Sequence, residues 1–379
     1  MANSITWPVR TAVCVTFLVV FAACGGDNGS SGQQSIVLFS PEGQDLNAYD
    51  VSNGNLRQAV ISGNEEEADP VLPSVNGQVC FNSSRQFVLG DDAGEPNPPP
   101  GWGIFQLFGD RVGEFSVAQI ARLIPSYIGG PEAGDNYGCG FLPDGRLLLT
   151  DIGEKVTGPG TGQLTIWFPP FHLIPSENHY CKIDNAIATA GGIYIDDQER
   201  IYVASARNDA GIYRYTGALP TSDDAAGGCG GVDELGAPFV DPGRITKELF
   251  IVGGDTNIPS PNAVVSSGHG TFYVSSVING VIAEYDASGK FVRRILEPPA
   301  GEMLGPQPYS TGTPLGIGVD SQGTLYYADL GLVVTPGNIG PGDHTGTVRR
   351  IRFENGQPLA PEIIDQGLRF PDGIGILEQ

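Results

Sequence analysis

The chain has 379 residues, among them 55 Gly and 30 Pro, with 17% charged residues and a formal net charge of −23. A surface this acidic excludes nucleic acid as a natural partner, because that affinity rests on Lys and Arg against phosphate. The Gly and Pro load argues for many short strands joined by turns rather than for long helices.

In chain order, Arg10 is followed by the apolar run TAVCVTFLVVFAA (11–23) and then Cys24. The run falls short of the roughly 20 residues that span a bilayer, so residues 1–23 read as an export signal. The FAAC segment (21–24) resembles the lipobox of bacterial lipoproteins, which implies a lipid on Cys24. The GGDNGSSGQQ stretch (25–34) has the composition of a flexible tether, so residues 24–34 separate that anchor from a folded domain at 35–379. The expected location is the cell envelope of a bacterium, at the outer membrane or cell surface, with the lipid as the only membrane contact. The expected state is a monomer.

From residue 35 the chain repeats itself. The segment PLGIGVDSQGTLYYAD (314–329) recurs in degraded form at 68–81, 136–151, 190–205 and 261–276, and is cut short at 371–379. Copies some 50 to 70 residues apart predict an all-β, six-bladed β-propeller, each repeat supplying the inner A–B hairpin of one four-stranded blade. The last copy leaves no chain for three further strands. Segments 35–39, 46–51 and 55–61 are expected to complete that blade, closing the ring with no free sheet edge. Beyond Cys14 and Cys24 the chain carries Cys80, Cys139, Cys181 and Cys229. An even count in an oxidising compartment predicts two disulfides out of three pairings. The favoured set is Cys80–Cys139 and Cys181–Cys229, each joining neighbouring blades.

In this register one position opens each A strand at the upper channel mouth: Asp69, Tyr137, Gly191, Asn262, Leu315 and Asp372. Just upstream lie Asp135, Asn136, Asp184, Asn185, Asp255 and Asn257. Carboxylate and amide oxygens with few histidines or thiols form the donor set of a hard cation. Ca²⁺ is the first expectation, with Mg²⁺, Mn²⁺ and Zn²⁺ as alternatives. Of four histidines, His344 in GPGDHTG (340–346) is the one expected on the top face, and it follows Asp343. His344 and Asp372 are therefore the candidate catalytic residues.

The segments PNAV (261–264), PDGIGI (371–376) and GIGVDSQGTLYYAD resemble the senescence-marker-protein/gluconolactonase family and its relatives. That resemblance implies a six-bladed propeller with a central divalent metal and a hydrolase of lactones or related esters. Its implied metal ligands are Asn262 and Asp372. Asp69 stands beside the place of the family's first-blade Glu, and the second-blade Asn falls to Asn136 or Asn185. The repeat is equally similar to NHL-type propellers, many of which only bind, so a protein- or glycan-binding scaffold is the alternative. In the hydrolase reading, the cation polarises a carbonyl while a nearby base activates water.

Overall fold

The computed structural model describes residues 35–52, 54, 56–62, 75–91, 101–127, 136–153, 161–207 and 210–379. The expected export signal and tether, Cys24 and Asp69 lie outside them. Among the described residues the only helical element is one 3₁₀ turn, Pro175–Glu177. No helix among them is long and apolar enough to cross a membrane.

Six sheets surround a central channel as six blades. Their inner strands are Asn76–Phe81, Asn136–Phe141, Ala190–Ile195, Pro261–Ser266, Pro314–Val319 and Gly375–Glu378, belonging to blades 1 to 6. Blade 6 joins the chain's two ends as expected. Gly375–Glu378 pairs antiparallel with Ile36–Glu42, placing Phe39 opposite Gly375. Asp45–Asp50 and Leu56–Ile61 then complete the sheet.

The hydrophobic core is divided among the interfaces between blades. Phe39, Leu46 and Leu377 of blade 6 meet Val79, Phe87 and Phe105 of blade 1. Trp102 of blade 1 and Trp167 of blade 2 are both fully buried at the next interface. Equivalent clusters fill the four remaining interfaces. The alternation that sends one face of each strand to each neighbour explains why a single repeat cannot fold alone.

Both expected disulfides are present, Cys80–Cys139 between blades 1 and 2 and Cys181–Cys229 between blade 2 and the long excursion from blade 3. That excursion, lying between Gly211–Gly217 and Ile245–Val252, adds Gly231–Val232 and Pro238–Phe239 to blade 2. Blade 2 therefore has six strands.

One register differs from the sequence expectation. In the first copy, 68–81, Gly77 holds the place of the repeat's turn glycine, but it lies inside the inner strand and the turn follows at Asn82–Gln86. The reason is visible in the turn itself. Each inner hairpin of blades 1 to 5 closes through a turn whose fourth residue is left-handed: Arg85, Gly145, Glu199, Gly270 and Gly323. In blade 1 Arg85 (φ 60°) takes the place a glycine usually fills. The turn therefore carries no glycine signal, and the nearest glycine in the sequence, Gly77, belongs to the strand.

Candidate functional site

With the register corrected, the residues at the second position of the channel-mouth segments are Gly77, Tyr137, Gly191, Asn262, Leu315 and Asp372. Gly77 replaces Asp69 in this ring. A side chain cannot stand there: a Cβ on Gly77 would lie 2.4 Å from the Tyr137 carbonyl oxygen, and its φ is +79°. Neighbouring backbones approach similarly at Gly191, where a Cβ would meet the Asn262 carbonyl oxygen at 2.4 Å. The glycines let the blades crowd together, so that the polar side chains of the ring share a narrow mouth.

That mouth encloses a cavity of about 110 Å³ whose walls include Asn76, Tyr137, Asn262, Leu315, Phe370 and Asp372. Asp372 is 2% exposed. Its Oδ2 accepts a hydrogen bond from the Gly77 amide at 2.9 Å, tying blade 6 to blade 1. The Tyr137 hydroxyl reaches over from blade 2 and donates to the Asp372 carbonyl oxygen at 2.9 Å. Burial first, and the Asp372 carboxylate second, push the Tyr137 phenol well above its ordinary pKa. Tyr137 is thus a neutral donor that positions Asp372, not a base. Asn262 Oδ1 accepts from the Val277 amide at 3.1 Å. Asn76 Oδ1 is buried and makes no hydrogen bond among the described residues, a costly state for an amide oxygen unless something else engages it.

The structure brings Asn262 and Asp372 together on this cavity and separates the other expected residues. Asn136 is fully buried, with its amide nitrogen donating to the Gly101 carbonyl of blade 1 rather than lining the mouth. Asn185 lies on His179–Ile187, the fourth strand of blade 2 counted from the channel. That strand is remote from the inner ring, and the neighbouring Asp184 is spent on the Tyr215 hydroxyl at 2.6 Å and the Lys247 ammonium at 2.6 Å. His344 lines a different cavity of about 600 Å³, between Glu42, Arg57 and Arg369 at the rim of blades 5 and 6. Its Nε2 accepts from Arg369 Nε at 3.0 Å, so its Nδ1 carries the proton offered to Asp343 at 2.7 Å. With both ring nitrogens engaged at the rim, His344 does not face the channel mouth. Sequence reasoning missed Asn76 and Phe370, and it placed Tyr137 at the mouth without giving it a role. Asn76 stands one residue before Gly77, which holds the turn glycine's place in the repeat, and Phe370 lies just outside the last copy at 371–379.

Below the mouth the channel is crossed by Gln78 of blade 1. Its Nε2 donates to the Ile193 carbonyl and its Oε1 accepts from the Ile193 amide, both at 2.9 Å. Beneath Gln78 opens a separate funnel of about 480 Å³.

No family model matches the chain, and no curated protein matches it. Solved structures do. The chain is similar to a chain in the crystal structure of a nidogen/laminin complex (TM-score 0.54, 11% identity, 90% of this chain and 98% of that one). It is also similar to a luciferin-regenerating enzyme (TM-score 0.52, 11% identity, 90% and 99%). A candidate 6-phosphogluconolactonase from Bacteroides uniformis ATCC 8492 is a third (TM-score 0.50, 8% identity, 91% and 100%). At these identities the likeness carries the fold: the chain is a six-bladed β-propeller.

Proposed function

We propose that the upper channel mouth is the active site of a metal-dependent hydrolase of lactones or related esters. The observation that carries this reading is the shared cavity of Asp372, Asn262 and Asn76. It joins a buried carboxylate to two amides, one of which has an oxygen with no partner among the described residues. Such an all-oxygen set fits Ca²⁺ better than softer ions, with water and substrate supplying the remaining ligands. Asp372, Asn262 and Asn76 would hold the cation, which when bound polarises a carbonyl and stabilises the developing oxyanion.

The chain's own residues do the rest. The Gly77 amide and the Tyr137 hydroxyl fix Asp372, whose carboxylate takes the proton from the attacking water. Leu315 and Phe370 wall the reacting bond from bulk solvent. We further propose that the protein is exported and lipid-anchored through Cys24. Two disulfides support an oxidising compartment.

The test is metal content and Ca²⁺-dependent thermal stability of the purified protein, followed by turnover of lactones and aryl esters. One cation per chain, lost in Asp372→Ala together with turnover, is the expected result. Neither metal nor turnover would leave the propeller as a binding scaffold instead.

A further inference from the structure

Resting on that reading, we infer that the mouth takes uncharged lactones or esters bearing an apolar substituent, not sugar or phosphosugar lactones, and that Phe370 contacts the substituent.

Three observations point to this substrate class. The first is the lining. Ile152, Pro261, Leu315 and Phe370 dominate the walls, and the polar groups beside them are largely committed. The oxygens of Asp372, Asn262 and Asn76 are the ones that would hold the cation, and the Thr189 hydroxyl donates to the Ala188 carbonyl at 2.8 Å. A sugar lactone brings several hydroxyls, each of which loses water on entry and needs a partner here. The second is charge. Among the described residues no Lys, Arg or His lines the mouth, so a phosphate finds none of the cationic donors that recognise it. With a net charge of −23 the whole field repels anions.

The third is Phe370 itself. Its backbone is left-handed at φ +52°, a conformation costly for a bulky residue, yet the residue stays 44% exposed at the lip of the cavity. The chain holds it there from both sides. Before it, the Arg369 amide donates to Glu42 Oε1 at 3.2 Å; after it, Asp372 is locked by Gly77 and Tyr137. Strain kept at the edge of a cavity, with an aromatic face left open, suits contact with a ligand. About 110 Å³ holds a small ring but no long tail, being well under the 300–1,000 Å³ of typical ligand sites. A substituent on the ring must therefore pass over the lip, where Phe370 stands.

The experiment compares kcat/KM of the Ca²⁺-loaded protein for γ-butyrolactone, γ-hexyl-γ-butyrolactone, glucono-δ-lactone and 6-phosphogluconolactone. The hexyl lactone should exceed glucono-δ-lactone by at least about tenfold, and the phosphorylated substrate should not turn over. Phe370→Ala should raise KM for the hexyl lactone about tenfold more than KM for γ-butyrolactone, and Phe370→Leu should restore most of that difference. A purely structural Phe370 would instead lower turnover of every substrate and the melting temperature together. Preference for glucono-δ-lactone would overturn the inference while the hydrolase reading stands. Failure to turn over any of the four, or aryl esters, would overturn both.

Discussion

At the level of single residues, the proposed chemistry hangs on Asp372, and two substitutions separate its roles. Asp372→Asn keeps an oxygen for the Gly77 amide but removes the charge. It should abolish tight metal binding and lower any hydrolysis by about 10²–10⁴-fold, as losing a positioned acid or base does, with little change in melting temperature. Asp372→Ala also strands the buried Gly77 N–H and should cost a further 1–3 kcal/mol or so of stability, read from denaturant midpoints. Tyr137→Phe tests the support from blade 2. Removing the hydroxyl that donates to the Asp372 carbonyl should cost about 1 kcal/mol and reduce turnover without altering metal stoichiometry. The sequence made Asn262 and Asp372 legible because their Pro-Asn and Pro-Asp-Gly frames keep the repeat's register. Gly77 and Asn76 were hidden by the Arg85 turn. Asn185 and His344 were plausible by chemistry alone, and only the third dimension separates a fourth strand and an outer rim from the channel.

Among elements, the excursion between Gly211–Gly217 and Ile245–Val252 falls between the repeat copies at 190–205 and 261–276, so the repeat pattern gives it no role. In the fold it is a clamp, with Pro238–Phe239 pairing in parallel with the outer strand of blade 2 at Lys182, and Cys229 bonded to Cys181. Between these ties lies an ion pair no sequence pattern announced: Lys182 Nζ sits 2.5 Å from Asp233 Oδ2, the two side chains being 0% and 2% exposed. The ammonium also lies 4.4 Å from the Tyr127 ring centroid. Burial alone would raise the Asp233 carboxyl, but Lys182 and the Ala237 and Leu235 amides hold it below its ordinary value. A depressed carboxylate stabilises the fold at pH above its unfolded pKa, about 3.9, and that contribution disappears as pH falls through the folded value. Urea midpoints should therefore drop on acidification below about pH 4, and less so in Lys182→Met/Asp233→Leu. Lys182→Met alone leaves a buried carboxylate without its cation and should cost about 3–5 kcal/mol at neutral pH, most of it recovered in the double variant. A single mutant as stable as the parent would show that the clamp rests on the disulfide and strand pairing alone.

For the whole molecule, the readable quantity was the count. Six copies of one hairpin, with three strands left over at one end and one at the other, leave a single way to close the ring. The expected segments 35–39, 46–51 and 55–61 fall at Ile36–Glu42, Asp45–Asp50 and Leu56–Ile61, because inward and outward positions alternate and a slip of one would turn every core side chain to the wrong face. What the sequence could not show is how much of the closure rests on one interface. Phe39, Phe81, Phe87, Phe105 and Phe115 form a continuous aromatic cluster between blades 6 and 1, with centroids 4.9 Å apart for Phe39 and Phe81 and 5.4 Å for Phe87 and Phe105. Phe39 stands on Ile36–Glu42, the strand that also receives the chain's final strand, so it couples ring closure to core packing. Phe39→Ala should cost about 3–5 kcal/mol, like other buried aromatic truncations. The loss should not stay local, because opening blade 6 frees the loop that carries Phe370 and Asp372. Hydrogen exchange would then show the Gly77 amide, which donates to Asp372, losing protection along with the strands of blade 6. An exchange-resistant Gly77 in a destabilised Phe39→Ala protein would mean that the mouth is held by the other five blades, independent of the closure.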